Sequence, residues 1–491
     1  MGVPMCLRLL MPIALLFVVA TQPATADDDA RCVQQMLADV SYPVGTVDGQ
    51  IGAKTRQAAA MLAAAYPELG LPELTTATEG QWCQVASSDA FRRVVADRAA
   101  LSLVEPGDLS AGPARWTAHL RTKTCQSDEI FRKGQFDPLP AALLPAFDPS
   151  DFQSIEPIFP AAAGSKPCLA NGWVAGRPPR PVVDAEITGN YLGSDFARFD
   201  PTYTFLGPAI ANYRAAPSEK SGAPLKKFLV EWAEADALSV NIHAPWGAKP
   251  LDYNVMTIIP AAIIGYSEVA TLMTPAESES VARWLHRLVS EALQSSWLDR
   301  QDNKAYMRSN IALLWGMLTD NEDLKQVGYS SFRNALADIR PDGSAPGESM
   351  RGGSGLHYSD RVAAMLTFAA IIGAADGQNL FVEEVEGRSL HNAVNWAVVA
   401  GKFPELNLRY ARRCPDGGDK PGQYDREHPD LSHLRNGGFS SWAAAYLMSP
   451  DVPAPTRAVV EGLLGSDRLG QADIHSAGSI ACYAAGLFKA E

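Results

Sequence analysis

Two short stretches of the sequence bring together side chains that could bind and deprotonate an acidic molecule. The first, DNKAYMR, places the amide of Asn303 beside the ammonium of Lys304. The second, ESMRGGSGLHYSDR, places the guanidinium of Arg351 seven positions before the phenol of Tyr358. The amide and the two cations can neutralise a carboxylate, and the phenol can act as a base, an acid or both. These four residues are the candidate catalytic set.

Helical periodicity dominates the chain after Pro181, and we predict one helical domain over residues 182–491. Short polar turns separate amphipathic or apolar segments, and alternating strands are missing. Repeated helical hairpins of this kind predict a mainly α fold, an (α/α) toroid or incomplete barrel, or another helical array. The segments are SEKSGAPLKKFLVEWAEADALS, NVMTIIPAAIIGYSEVATLM, PAESESVARWLHRLVSEALQSSW, NIALLWGMLTDNEDLKQVGYSSFRNALADIR and DRVAAMLTFAAIIGAADG.

The first 26 residues have the pattern of a secretory signal peptide. Arg8 precedes an apolar run from Leu9 to Ala20, and Ala24-Thr25-Ala26 fits an A-x-A cleavage site. The run is too short to be a stable membrane anchor, and we expect no later segment to span a membrane. The sequence therefore predicts a periplasmic or secreted protein.

The cysteines agree with export. Of the seven in the chain, one lies in the predicted leader, and an even number remains. An even number in an exported chain indicates three disulfides, for which the sequence allows about 15 pairings. Neighbours along the chain favour Cys32–Cys83, Cys125–Cys168 and Cys414–Cys482. No C-x-x-C spacing occurs and the histidines are dispersed, so we expect neither a metal site nor a cofactor.

The formal net charge of −13 argues against nucleic acid as a partner, because a phosphate backbone would be repelled. Removing the leader with its one Arg8 would leave about −14. If the substrate is itself acidic, the cationic groups must be concentrated in a cleft.

Residues 28–95 have the pattern of a small independent domain. Two helical patterns, Cys32 to Leu37 and Ala53 to Ala65, flank a glycine-rich turn. The turn resembles the peptidoglycan-binding domain-1 family, whose pattern G-x-x-D-G-x-x-G-x-x-T-x-x-A is matched at Gly45, Asp48, Gly49, Gly52, Thr55 and Ala58. The resemblance implies a three-helix module that binds peptidoglycan or another cell-wall glycan. The alternative is a helical packing module without a ligand.

Residues 96–181 are rich in proline, with FDPLPAALLPAFDPSDFQSIEPIFP and AGRPPRP among them. This composition predicts an irregular connector that wraps against its neighbours. The stretch is long for a structureless loop, so part of it must be ordered.

Four blocks in the helical domain resemble, in order, the alginate lyases of polysaccharide lyase family five. The family patterns are Y-E-G-S-D-x-A-R, W-A-x-A-D-A-L, N-N-H-x-Y-W and E-x-x-R-x-x-x-x-x-x-Y. The matching stretches are NYLGSDFAR, WAEADALS, DNKAYM and ESMRGGSGLHY. The resemblance covers residues 183–401. It implies an (α/α) toroid with a cleft for an anionic polysaccharide and lyase activity without a cofactor.

The resemblance also implies roles for individual residues. Asn303, Arg351 and Tyr358 fall on the family's asparagine, arginine and catalytic tyrosine, and Lys304 falls on its histidine. Tyr191 falls on a tyrosine in a mobile loop over the substrate. Further candidates for substrate binding are Arg198, Arg308, His357 and Trp246, and His357 is also an alternative base.

Each of these residues also has an ordinary structural explanation. Asn303 could cap the helix that follows it, and Arg351 could be a solvated loop residue. Tyr191 and Tyr358 could be packing aromatics.

The replacement of the family's histidine by Lys304 restricts the chemistry. A lysine with an ordinary pKa of about 10.4 neutralises a carboxylate but is no base near neutral pH. Tyr358 must then remove the C5 proton of a uronate and protonate O4 from the same side. Such syn elimination suits the manno or gluco arrangement, so we expect mannuronan, alginate or a glucuronan-like exopolysaccharide.

Two other functions remain open on the sequence. The first is a periplasmic glycan-binding protein derived from a lyase, in which the change to Lys304 has removed turnover. The second is a hydrolase of another helical-toroid family that uses paired carboxylates such as Glu234, Asp236 or Glu348.

Overall fold

The computed structural model describes residues 26–40, 44, 46–66, 69–92, 94–95, 144, 146–169, 177–183, 194–238, 252–294, 303–340, 342–349, 351–402, 407, 430, 441–461 and 477–488. The predicted signal peptide therefore lies outside the described residues, apart from Ala26. The chain divides into two compact units, residues 1–63 with 67–93 and residues 64–66 with 94–491.

The first unit contains three helices, α1 (Ala26–Asp39), α2 (Ala53–Ala65) and α3 (Glu79–Ala86). α1 packs on α3, and the Cys32–Cys83 disulfide joins them. This is the pairing that the sequence favoured. The core of the unit includes Val33, Leu37, Leu62 and Trp82, all buried. The small helical N-terminal unit is as predicted.

The glycine-rich turn of this unit is organised by Gln34 of α1. Its Oε1 accepts hydrogen bonds from the backbone N–H groups of Asp48 at 3.0 Å and Gly49 at 2.8 Å. Its Nε2 donates to Asp48 Oδ1 at 2.9 Å and to the carbonyls of Thr46 and Gln50. Gly49 has a φ of 82°, a conformation that glycine adopts without strain. One buried amide therefore fixes the conformation of the whole turn.

The second unit is mainly helical. Its described elements are, in chain order, α4 (Lys166–Leu169), α5 (Ser194–Ala215), α6 (Glu219–Glu234), α7 (Asp252–Val269), α8 (Pro275–Gln294), α9 (Asn303–Leu318), α10 (Glu322–Asp338), α11 (Pro346–Ser349), α12 (Gly355–Ala375), β1 (Glu384–Val385), β2 (Arg388–Ser389), α13 (Leu390–Lys402), α14 (Ala443–Met448), α15 (Ala454–Glu461) and α16 (Ile480–Leu487). The two short strands pair as an antiparallel hairpin.

The long helices form two layers. α5, α7, α9 and α12 pack side by side in chain order, and α6, α8, α10 and α13 each pack on the preceding inner helix. An alternation of inner and outer helices is the arrangement of an (α/α) toroid, so the predicted fold class is confirmed. The apolar face of each inner helix is buried between the layers, where packing stabilises a helix more than its intrinsic propensity does.

The last described helix returns to the first part of the unit. α16 packs on both α12 and α4, and α4 packs on α5. The Cys168–Cys482 disulfide joins α4 to α16, with Cα atoms 4.6 Å apart. The pairings Cys125–Cys168 and Cys414–Cys482 were therefore wrong. Proximity along the chain misled the prediction because the toroid brings distant segments together; Cys125 and Cys414 lie outside the described residues.

The described part of the proline-rich connector packs against the helical unit. Phe152, Ile155 and Phe159 are buried in the same hydrophobic core as the long helices. The Phe159 ring stacks on Tyr483 of α16, with ring centroids 4.9 Å apart. A one-turn 3₁₀ helix, Pro149–Phe152, lies against α8. These residues thus belong structurally to the helical unit.

One described segment, Val255–Leu272, is long and apolar enough to cross a membrane, with mean hydropathy 1.6. This differs from the expectation that no later segment would reach that threshold. The segment covers most of α7, an inner helix that contacts other helices, and 83% of the segment is buried inside the protein. Its apolar character is that of a core helix.

Candidate active site at the ends of two inner helices

The structure brings three of the four candidate catalytic residues together. Asn303 is the first residue of α9, and Tyr358 lies in the first turn of α12, the inner helix that packs on α9. Arg351 lies in the turn between α11 and α12. The site is therefore formed where two neighbouring inner helices begin, at their positive dipole ends, which favour a bound anion.

A buried carboxylate links these segments. Glu348 of α11 is fully buried. Its Oε1 accepts a hydrogen bond from the backbone N–H of Asn303. Its Oε2 forms an ion pair with Nε of Arg351 at 2.7 Å. A buried charge needs partners of this kind, because desolvation without them costs several kcal/mol.

Arg351 is buried and held at its Nε end. The same Nε donates to the Gly347 carbonyl at 3.1 Å. The guanidinium carbon lies 4.2 Å from the centroid of the Tyr358 ring, which is cation–π distance. The structure therefore rules out the alternative of a solvated loop residue for Arg351.

Tyr358 is half-buried among charged and aromatic neighbours. The guanidinium carbon of Arg361, one helical turn further along α12, lies 5.4 Å from the ring centroid. His357 meets the ring edge-on, with centroids 5.3 Å apart and planes at 68°. Two guanidinium groups thus lie within about 6 Å of the Tyr358 ring, so the phenol is in a positively charged part of the site, which suits proton exchange with an anionic molecule.

Buried polar contacts hold the first turns of α12. Ser359 Oγ accepts from Nε1 of Trp396 at 3.1 Å and donates to Asn407 Oδ1 at 3.2 Å. Asp360 Oδ1 accepts from Nε1 of Trp442 at 2.7 Å. Ser359 and Asp360 directly follow Tyr358 in the sequence. Their contacts therefore fix the direction in which the helix presents the phenol.

The loop before α11 is equally well supported. Nη1 of Arg340 donates to the hydroxyls of Ser344 at 3.0 Å and Ser349 at 2.8 Å. Gly343 has a φ of 86°, and a Cβ there would lie 1.9 Å from the carbonyl oxygen of Asn392. The loop therefore approaches α13 too closely for any side chain at this position, and Glu348 is carried by a rigid segment.

Asn303 does not cap α9, because it is the first helical residue rather than the residue before the helix. Its Oδ1 is buried and has no hydrogen-bond partner in the described part of the chain. Arg308, five positions further along α9, is buried. The backbone of Asn303 is thus linked to Arg351 through Glu348, and its side chain carries an acceptor oxygen without a hydrogen-bond partner among the described residues.

The remaining predicted site residues are only partly described or not described. Lys304 and Arg198 lie in the first turns of α9 and α5, but their side chains are outside the described part of the structure. Tyr191 and Trp246 lie outside it altogether. Their roles stay predictions.

The carboxylates considered for a hydrolase are not equivalent. Glu348 is buried and engaged as an ion-pair partner of Arg351. Glu234 is exposed at the end of outer helix α6, and Asp236 forms an ion pair with Arg287 with 64% of its side chain exposed. The described geometry gives no paired carboxylates in one cleft.

Sequence reasoning missed the contacts of Glu348 and Arg361 with the site. The signal was present in both cases as an i, i+3 spacing, Glu348 to Arg351 and Tyr358 to Arg361, which places side chains on one face of a helical turn. The same spacing also fits exposed pairs, so burial decides which reading applies.

Comparisons with known proteins match the part of the chain that contains this site. A family model described as Alginate lyase matches residues 213–405, a range that includes Asn303, Lys304, Arg351 and Tyr358. A protein named polysaccharide lyase from Stenotrophomonas maltophilia (strain K279a) is 28% identical over 217 residues. That match covers 43% of this chain and 59% of the relative, so this chain matches little more than half of the relative's length.

Among solved structures, alginate lyase A1-III from Sphingomonas species A1 is similar, with a TM-score of 0.49 and 20% identity. The match covers 73% of this chain and 92% of that one. An alginate lyase from Bacteroides ovatus matches with a TM-score of 0.43 and 15% identity, covering 73% of this chain and 90% of that one.

Proposed function

We propose that this chain is a polysaccharide lyase that cleaves a uronate-containing polysaccharide by β-elimination. The observation that carries the proposal is the convergence of an amide, a guanidinium and a phenol from Asn303, Arg351 and Tyr358. Glu348 joins the Asn303 backbone N–H to Arg351, and the Arg351 guanidinium lies against the Tyr358 ring, so specific contacts hold the three residues together. The partial matches to an alginate lyase family model and to a polysaccharide lyase support the same class.

The first requirement of the reaction is neutralisation of the uronate carboxylate at C6. Without it the C5 proton is too weakly acidic, and the enolate that develops would be unstable. The Asn303 amide can donate a hydrogen bond and Arg351 can supply charge. We propose that Lys304, the next residue along the first turn of α9, adds a second positive charge.

The second requirement is proton transfer, which we assign to Tyr358. As the C5–H bond breaks, the electron pair forms the C4=C5 double bond and the bond from C4 to O4 breaks. The phenolate of Tyr358 takes the C5 proton and then delivers a proton to the leaving O4. Because one residue makes both proton transfers, the C5 proton and O4 must lie on the same face of the sugar.

The single acid–base residue predicts the substrate. Syn elimination fits uronates with the manno or gluco arrangement at C4 and C5, such as mannuronan and glucuronan. Guluronate and galacturonate need groups on opposite faces. We therefore propose mannuronate or glucuronate residues at the cleavage site.

Incubation with polymannuronate, polyguluronate and glucuronan, followed by ultraviolet absorbance of the unsaturated product, tests the proposal. We expect unsaturated product from polymannuronate or glucuronan and little from polyguluronate. The Tyr358→Phe variant should give none. Uronate binding by both proteins without product would indicate a glycan-binding protein instead. A saturated product with a new reducing end would indicate a hydrolase.

We further propose that the protein is exported and that its first unit binds peptidoglycan or another cell-wall glycan. The signal-peptide pattern and the two disulfides of the described chain support export. The turn organised by Gln34 supports the second point, because its conformation is fixed before any ligand arrives. Cosedimentation of the full chain with purified cell-wall sacculi, in the presence of excess uronate oligomer to block the lyase site, tests this binding. Absence of cosedimentation would contradict it.

A further inference from the structure

The strongest unexplained feature of the site is the fully buried carboxylate of Glu348. It contacts two groups that come from different parts of the chain, the start of α9 and the turn before α12. Neither the acid–base step nor substrate binding uses it directly. Its burial and its two partners indicate a role that acts through other residues.

Both oxygens of Glu348 are engaged in different directions. One accepts from the backbone N–H of Asn303, so it fixes the position of the residue to which the proposed function assigns a hydrogen bond to the substrate carboxylate. The other pairs with Nε of Arg351 at 2.7 Å. Nε is also the atom that donates to Gly347, so one edge of the guanidinium is occupied. Its central carbon lies 4.2 Å from the centroid of the Tyr358 ring, so the guanidinium that Glu348 holds also lies against the phenol.

The carboxylate itself is held by a rigid loop. Arg340 ties Ser344 and Ser349 together, and Gly343 lies directly on the backbone of Asn392. The loop therefore fixes the position of Glu348, and Glu348 in turn fixes the start of α9 and the turn that carries Arg351.

We propose that Glu348 is a positioning residue that sets the separation of the Asn303 amide and the Arg351 guanidinium, so that both reach one substrate carboxylate. The proposal rests on the proposed lyase function. A displacement of about 1 Å in such a group costs on the order of 100-fold in rate, so the effect is measurable.

Glu348→Gln is the sharpest test because it keeps the shape of the side chain. Glutamine offers one oxygen acceptor and one NH₂ donor, so if its oxygen keeps the hydrogen bond from the Asn303 backbone N–H, its NH₂ group faces the Arg351 guanidinium, which loses its anionic partner. We expect kcat on polymannuronate to fall on the order of 100-fold, with KM changed much less. The matched control is Glu279→Gln, which removes one charge from an exposed ion pair with Arg283 on α8. It should leave kcat within about twofold of the wild type.

A double-mutant cycle with Arg351→Lys separates positioning from a general structural role. If Glu348 acts through Arg351 as well as Asn303, Glu348→Gln should lower kcat by a clearly smaller factor once Arg351 has been replaced, because only the contribution through Asn303 is then left to lose. A full, multiplicative loss in the double variant would overturn the proposal. So would a Glu348→Gln variant with the wild-type kcat. Circular dichroism at the assay temperature confirms that each variant is folded.

Measurements on the wild-type protein distinguish a failure of this proposal from a failure of the lyase function on which it rests. A wild type that binds mannuronate oligomers without cleaving them contradicts the lyase function, and the same cycle is then measured on Kd. Non-additive losses of affinity would still support positioning by Glu348, and additive losses would overturn it. A wild type that neither cleaves nor binds uronates overturns both proposals.

Discussion

Replacing Cys168 and Cys482 together by alanine should destabilise the helical unit strongly. The disulfide joins residues 314 positions apart. In the chain-entropy model a cross-link of this span restricts the unfolded chain by about 5.7 kcal/mol, whereas disulfides typically contribute about 2–4 kcal/mol. Cys168 of α4 and Cys482 of α16 are both buried, so the side chains around them are already packed. We therefore expect a loss of about 4 kcal/mol in the free energy of unfolding.

The matched control is the double alanine variant of Cys32 and Cys83, which removes the bridge of the first unit, with a separation of 51. Urea unfolding followed by hydrogen exchange and mass spectrometry reports the two units separately. Loss of protection in α5 and α16 should follow removal of Cys168–Cys482 and not removal of the control bridge. A loss below about 1 kcal/mol in the helical unit would refute the reasoning that this bridge restrains the unfolded chain over nearly the whole unit.

Four further predictions concern individual side chains. Lys304→Ala should lower kcat on polymannuronate at least about tenfold and Lys304→His less, because histidine can still donate to a carboxylate; equal rates for both variants and the wild type would show an incidental lysine. Arg214→Met should cost about 3–5 kcal/mol in urea unfolding, because it leaves the buried Glu268 carboxylate without its ion-pair partner; the double variant with Glu268→Leu should recover much of that loss. Gln34→Ala should cost about 2 kcal/mol and expose the amides of the 46–50 turn to hydrogen exchange. Since the hydrogen bond from Gln34 lowers the pKa of Asp48, the stabilisation by this carboxylate should be complete above its ordinary pKa and be lost as the pH falls through the lowered pKa.

The helices were predictable because their apolar residues recur with the helical period. The segments that contain Asn303 and Tyr358 were also predictable as parts of one site. Their helices nevertheless begin earlier than periodicity indicated. The apolar patterns start at Asn310 and Asp360, whereas α9 begins at Asn303 and α12 at Gly355. The first turns carry polar site residues, so the signal that predicts a helix is weakest where the chemistry is placed.

Three-dimensional proximity was not predictable in the same way. Cys168 and Cys482 are joined because α16 packs against α4, and no local pattern encodes that contact. The burial of Glu348 is a similar case, because an acidic residue three positions before an arginine is usually an exposed pair. Only the packing of α9, α11 and α12 turns it into the link between Asn303 and Arg351.

The most direct test of the account is the structure of the product made from mannuronate oligomers by the wild type and by Tyr358→Phe. Proton NMR distinguishes a C4=C5 double bond from a saturated new end. We predict that the wild type produces the unsaturated sugar and that Tyr358→Phe, while still binding the oligomer, produces none. Wild-type cleavage to a saturated product, or undiminished unsaturated product from the Tyr358→Phe variant, would contradict the account.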